Sequence, residues 1–190
     1  MLYTGRFGSY GRDPGPFAEA ISRLGSERPD EAAKLEIAIA GPLREDEKPL
    51  FDRVGAGPVK LTLLGSLERE RSLALQRHAD ALLLLAQPTR SQLVNFKLFE
   101  YLAAGRPILA LCAGTEAGRI LGEAGTPTVA ADDPAAIADA LATVGGLAPP
   151  DPALAERYRY PAAAEAMAAV VTEAIATAGR DLSETPHIEG

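Results

Sequence analysis

Short apolar runs alternate with longer amphipathic stretches along most of the chain. Residues 35–40 (LEIAIA), 59–64 (VKLTLL), 81–86 (ALLLLA), 108–112 (ILALC) and 126–130 (TPTVA) have strand length, and residues 1–4 are a shorter apolar run ahead of Gly5. Strands that are apolar on both sides are buried on both faces, as in a parallel sheet covered by helices. The stretches between them carry helical periodicity at 17–24, 45–54, 68–78, 92–104, 116–124 and 134–144. Gly25, Gly105 and Gly125 read as helix stops, and Asp133 as the cap ahead of Pro134.

Six strands alternating with helices predict an α/β class protein: a doubly wound, Rossmann-like domain with about six parallel strands. Ligands in such sheets bind beyond the carboxyl ends of the strands. The site is therefore expected on the loops after Thr4, Leu64, Ala86 and Cys112. Residues 1–146 hold this domain. Residues 145–151 are rich in Gly and Pro, and residues 147–178 read as a connector leading into a long Ala-rich helix at 161–178. Residues 179–190 lack periodicity and read as a disordered tail.

Composition narrows the chemistry. The 190 residues are 47% hydrophobic and 24% charged, values of an ordinary globular protein, and aromatics are only 5% with no Trp. The core must then be built from Ala, Leu, Ile and Val. A net charge of −7 argues against a nucleic-acid or anionic-membrane surface. Apolar runs are too short to span a bilayer, and the cytoplasm is the expected location. The single cysteine, Cys112, falls in an apolar run and reads as a buried thiol. His78 and His187 are the only histidines and have no metal-ligand spacing, so no metal is expected.

Three constellations could carry function. Residues 5–12 (GRFGSYGR) lie between a strand and a helix, where backbone N–H groups can receive an anion; Gly5, Arg6 and Arg12 are the candidates there. Arginine suits a diphosphate because its planar fork makes paired charged bonds. The plainer reading is a loop with solvated arginines. Lys97, Glu100 and Tyr101 share a helix face, and Glu100 could accept two hydrogen bonds from a ribose diol. The plainer reading there is a surface ion pair. Gly65, Ser66 and Leu67 could let backbone approach a ligand, or could simply be a turn.

The order of these motifs resembles the C-terminal domain of GT-B glycosyltransferases, in particular the large bacterial group of retaining, family-4-like enzymes. The resemblance runs from about residue 2 to residue 144. Its most specific element is residues 97–109 (KLFEYLAAGRPIL), supported by residues 3–6 (YTGR), 37–41 (IAIAG), 63–66 (LLGS), 78–85 (HADALLLL) and 131–134 (ADDP). It implies one half of a GT-B fold that binds a nucleoside-diphosphate sugar as substrate, with no other cofactor. Arg6 and Glu100 match the family's catalytic positions, contacting the diphosphate and the donor ribose respectively. Gly65, Ser66 and Leu67 match the loop that holds the base, and Lys97 is implied near a phosphate or the sugar. The first glutamate of the family's E-x7-E motif is Gln92 here, a donor-binding position at which glutamine can still hydrogen-bond a sugar hydroxyl, and the usual lysine after Arg6 is absent, with Arg12 the nearest substitute for donor binding.

The resemblance also implies a second, N-terminal acceptor domain or partner chain, without which transfer is not expected. The helix at 161–178 would pack towards that domain, and its apolar surface would otherwise offer a patch for homo-association. Alternative readings are a non-catalytic nucleotide-sugar-binding or scaffolding subunit and, more remotely, a nucleotide-sugar epimerase.

Overall fold

The computed structural model of the chain describes residues 1–8, 13–86, 94, 96–159 and 161–183. Contacts divide the chain into two units, Met1–Pro152 and Ala153–Gly190.

The first unit is a six-stranded parallel sheet in the order β3-β2-β1-β4-β5-β6. The strands are β1 (Leu2–Thr4), β2 (Glu36–Ala40), β3 (Lys60–Leu63), β4 (Leu82–Leu85), β5 (Ile108–Leu111) and β6 (Thr128–Val129). The chain thus starts in the middle of the sheet, builds outward to β3, then crosses back to β4. That reversal between β1 and β4 is the switch point at which doubly wound sheets open a ligand crevice. The ladder reflects it: β1 pairs with β2 at three positions, but with β4 only at Leu2↔Leu82.

The helices of this unit are α1 (Gly15–Glu27), α2 (Pro29–Ala32), α3 (Lys48–Gly55), α4 (Arg69–His78), α5 (Phe96–Ala104), α6 (Glu116–Glu123) and α7 (Pro134–Ala142). They cover both sides of the sheet, α1 packing on α3 and α7, and α4 on α5. α1 buries a stripe at helical spacing, Phe17, Ala18, Ala20, Ile21 and Leu24, whereas α4 buries only Gln76. Four aromatic rings gather at the base of the loop after β1. Phe7 lies 4.7 Å from Tyr3, 5.3 Å from Phe17 and 5.1 Å from Phe51, centroid to centroid. Sequestering side chains of this size contributes about 1.5–3 kcal/mol each, and here the contribution pins the start of that loop.

Some expectations needed correction. Residues 59–64 are not a strand buried on both faces: β3 is an edge strand, with Lys60 exposed and Leu63 49% exposed. Gly25 does not stop α1, which runs on to Glu27. It stands where a Cβ would come within 2.9 Å of Pro58, so the glycine serves packing instead. The helix expected from residue 45 begins at Lys48, because residues 44–47 form a turn in which Glu47 Oε2 accepts the Arg44 amide. The short helix α2 was not among the expected elements, although Pro29 with Asp30 and Glu31 makes an ordinary helix start. Asp133 does cap α7, accepting from the amides of Ala135 and Ala136 at 3.0 Å each.

The second unit holds α8 (Pro152–Arg157) from its second residue onward and α9 (Ala162–Ser183). α9 extends past residue 178 into the segment expected to be a disordered tail, and it exposes Met167, Val170, Val171 and Ile175. Among the described residues no helix is long and apolar enough to cross a membrane.

Candidate functional site

The carboxyl ends of β1 and β2 and the loop after β3 meet α4 and α5 around a cavity of about 300 Å³. It is lined by Gly5, Arg6, Ala40, Gly41, Pro42, Ser66, Leu67, Arg69, Ser72, Leu73, Lys97 and Glu100. Six of the residues singled out from the sequence are therefore brought together: Gly5, Arg6, Ser66, Leu67, Lys97 and Glu100. Gly65 precedes this wall with φ +65°, a conformation that suits glycine. Arg12 and Gln92 lie outside the described residues, as does the loop after Ala86. The loop after Cys112 does not line the cavity.

The Gly5 end of the cavity is built by close backbone approach. Gly5 turns with φ +122° and donates its amide to Ala40 O at 2.8 Å. A Cβ on Gly41 would fall 1.9 Å from Gly5 O, so only glycine fits there. Tyr3 donates its hydroxyl to Arg6 O at 2.9 Å, and the buried Phe7 anchors the next residue. Arg6 is thus carried on a fixed backbone. The lining has three positive side chains, Arg6, Arg69 and Lys97, and one negative, Glu100. In a protein of net charge −7, this is a local positive site that suits an anion.

Glu100 is only 16% exposed and is held on both oxygens. Its Oε1 accepts from Arg69 Nη1 at 3.0 Å, and its Oε2 from Lys97 Nζ at 2.7 Å and Gln76 Nε2 at 3.3 Å. Burial by itself favours the neutral acid. The hydrogen bond and charge of Lys97, with help from Gln76 and Arg69, outweigh it and hold the carboxyl below its ordinary range.

Behind Glu100 runs a buried polar chain that ties the site to the central strand. Gln76 is fully buried, and its Nε2 also donates to Thr4 Oγ1 at 3.0 Å. The Thr4 amide donates to the Tyr101 hydroxyl at 3.0 Å, and Thr4 Oγ1 and that hydroxyl are 3.2 Å apart. Tyr101 thereby takes up a backbone donor of β1 where pairing with β4 has stopped. Burial pushes the Tyr101 hydroxyl well above its ordinary pKa, so it remains a neutral structural group. Gln76 Oε1 is buried with no hydrogen-bond partner.

Sequence reasoning missed Gly41, Arg69, Ser72, Gln76 and the role of Tyr101. A Gly directly after a strand was a visible signal for Gly41. Arg69 and Gln76 sit in a polar helix with no motif around them, and only the fold brings them to Glu100. Cys112 is fully buried, and burial pushes its thiol up to about 12, against the opposing effect of a hydrogen bond from Thr115. His78 stands at the end of α4 with Nδ1 2.8 Å from Ala74 O, away from the cavity. Among the described residues no three His, Cys, Asp or Glu side chains cluster to hold a metal.

Comparison with known proteins adds three findings. The family model described as glycosyl transferases group 1 matches residues 1–145. A comparison with curated protein sequences found no match. Among solved structures, an α,α-trehalose-phosphate synthase (UDP-forming) from Burkholderia xenovorans, in complex with glucose-6-phosphate, is 17% identical with a TM-score of 0.61; the likeness covers 82% of this chain and 38% of that one. The corresponding synthase from Burkholderia vietnamiensis is 20% identical with a TM-score of 0.60, over 82% of this chain and 40% of that one. The chain therefore spans about two fifths of the length of these structures, and at such identities the likeness is one of fold.

Proposed function

The chain belongs to the glycosyl transferases group 1 family, and on that premise we propose that its cavity binds the nucleoside-diphosphate part of a sugar donor for glycosyl transfer. One observation carries the reading. The cavity at the strand ends gathers Gly5, Arg6, Ser66, Leu67, Lys97 and Glu100, drawn from three separate parts of the sequence, around a volume of about 300 Å³.

The chemistry assigns a part to each. Arg6 and the constricted Gly5–Gly41 backbone receive the diphosphate, where negative charge grows as the glycosidic bond breaks; fixed positive groups aimed at that charge are the main source of catalysis in such a reaction. Glu100 accepts hydroxyls of the donor ribose, and Lys97 holds Glu100 while adding positive charge. Ser66 and Leu67 lie along the base. Gln92 and Arg12 keep their proposed donor-binding roles on the strength of the family resemblance alone. Retention of configuration at the sugar rests on the same resemblance. The acceptor is proposed to be bound by another domain or chain, so the 190-residue protein should bind donor weakly and transfer nothing by itself.

The test is calorimetric titration with UDP, GDP, ADP and their sugar conjugates, on the native sequence and Glu100→Ala. Saturable binding that is lost in the variant is expected. Absence of binding at millimolar nucleotide, or binding indifferent to Glu100→Ala, sinks the reading.

A further inference from the structure

Glu100 is fully engaged on one side and loosely engaged on the other, and the asymmetry has a functional consequence. An ionised carboxylate offers about four acceptor positions, two on each oxygen. Both positions on Oε2 are taken, by Lys97 at 2.7 Å and Gln76 at 3.3 Å. Gln76 cannot leave: it is fully buried, and the same amide nitrogen is tied to Thr4 Oγ1 at 3.0 Å. Nor can its amide turn over, since that would set Oε1 against the carboxylate. Oε1 is held by Arg69 at 3.0 Å, and the Arg69 side chain is 75% exposed.

We propose that Arg69 is a specificity-determining residue that caps Oε1 of Glu100 in the empty site and is displaced when a ribose diol binds there. The inference rests on the donor-site reading above and deepens it. A vicinal diol needs two acceptor positions. Beside Arg69, Oε1 has one left, and Oε2 has none. The diol therefore engages only as the guanidinium withdraws, and an exposed guanidinium withdraws into water at little cost. Until then the cap adds to Lys97 in offsetting the one negative side chain among the lining residues. The ring of cations around an empty site so changes partner on binding: Arg69 gives up Glu100 to the sugar of the nucleotide.

The cap predicts an effect opposite to that of an ordinary phosphate-binding arginine. Removing Arg69 takes away positive charge and so weakens any anion, with or without a ribose diol. It also removes the competitor of the diol alone. The discriminating quantity is the ratio of Kd for a 2′,3′-dideoxynucleoside diphosphate to Kd for the matching ribonucleotide. The full 190-residue chain, Arg69→Ala and Arg69→Gln are titrated with UDP, GDP and ADP, then with the dideoxy form of whichever binds tightest; circular dichroism verifies folding.

A rise of about two- to fivefold in the ratio is expected in both variants, the range set by one exposed ion pair. A ratio that is unchanged or falls overturns the inference while leaving the donor reading intact, provided the ribonucleotide binds. Binding of no nucleotide to any of the three proteins overturns both. Glu100→Gln serves as the control: a ribose preference that survives it places the diol elsewhere and also overturns the inference.

Discussion

Gly41 at the end of β2 faces Gly5 at the end of β1 so closely that a Cβ on Gly41 would lie 1.9 Å from the Gly5 carbonyl oxygen. The obstacle is backbone, which cannot rotate away as a side chain could. Gly41→Ala must therefore push the loop carrying Arg6 off the sheet. A loss of about 1–3 kcal/mol in urea-unfolding stability is expected, typical of overpacking. Nucleotide affinity should fall further than that of a variant equally destabilised elsewhere.

Glu100→Gln should weaken ribonucleoside diphosphate binding by about ten- to a hundredfold, since hydrogen bonds to a charged group contribute about 1.5–3 kcal/mol. The pH profile follows from the depressed carboxyl pKa. In the folded state the carboxylate stays charged below the point where the unfolded chain takes up its proton, at about pH 4.3. Its contribution to stability is complete above that pH and is lost as pH falls through the lower folded value. The affinity ratio of the native sequence to Glu100→Gln should hold down to about pH 5 and shrink only below the ordinary carboxyl range. Calorimetry of both proteins measures it, the ratio cancelling protonation of the terminal phosphate at about pH 6.

Gln76→Leu separates stability from function. The variant loses bonds to Thr4 and Glu100 but also removes the unpartnered Oε1. Deleting a partly satisfied buried amide in favour of an apolar side chain of similar shape should change stability by less than about 1 kcal/mol. The Glu100 carboxyl loses one donor, so the pH midpoint of nucleotide binding should move up. Equal midpoints in the two proteins would show that Gln76 does not hold Glu100.

Tyr101→Phe leaves the Thr4 amide without its acceptor inside the protein. An orphaned buried donor costs about 1–3 kcal/mol. Urea unfolding should show that loss, and hydrogen exchange should show faster exchange at Thr4 than at Tyr3.

Cys112 should resist alkylation. It is fully buried and its thiol is pushed up to about 12, so almost no thiolate is presented at neutral pH. Iodoacetamide should leave the native protein unmodified and label it fully in urea, as mass spectrometry will show.

Much of the fold was legible because its strands are long enough and apolar enough to name themselves. Residues 82–85 and 108–111 are buried without exception in β4 and β5. β3 misled because an edge strand can keep apolar residues such as Leu63 on a half-covered surface, and apolarity alone does not reveal which strand ends the sheet. The site divided along similar lines. Arg6, Lys97 and Glu100 sit in motifs, and all three line the cavity. Gln76 and Arg69 act through partners 24 and 31 residues away in sequence, and no periodicity encodes a meeting of that kind. Tyr101 was seen on the face of its helix, but its task at Thr4 depends on where two strands stop pairing.

The strand order also bears on how the protein is made. β1 is central, with β2 on one side and β4 on the other. A ribosome delivers β1, β2 and β3 first, so a three-stranded half-sheet can form while the far edge of β1 still waits for residues 82–85. During that interval the open edge of Leu2–Thr4 can be joined by any other extended chain, the hazard of every unpaired strand. The long crossover through α4 sets the length of the wait. Synthesis slowed between β3 and β4 should raise aggregation more than the same delay placed after β5.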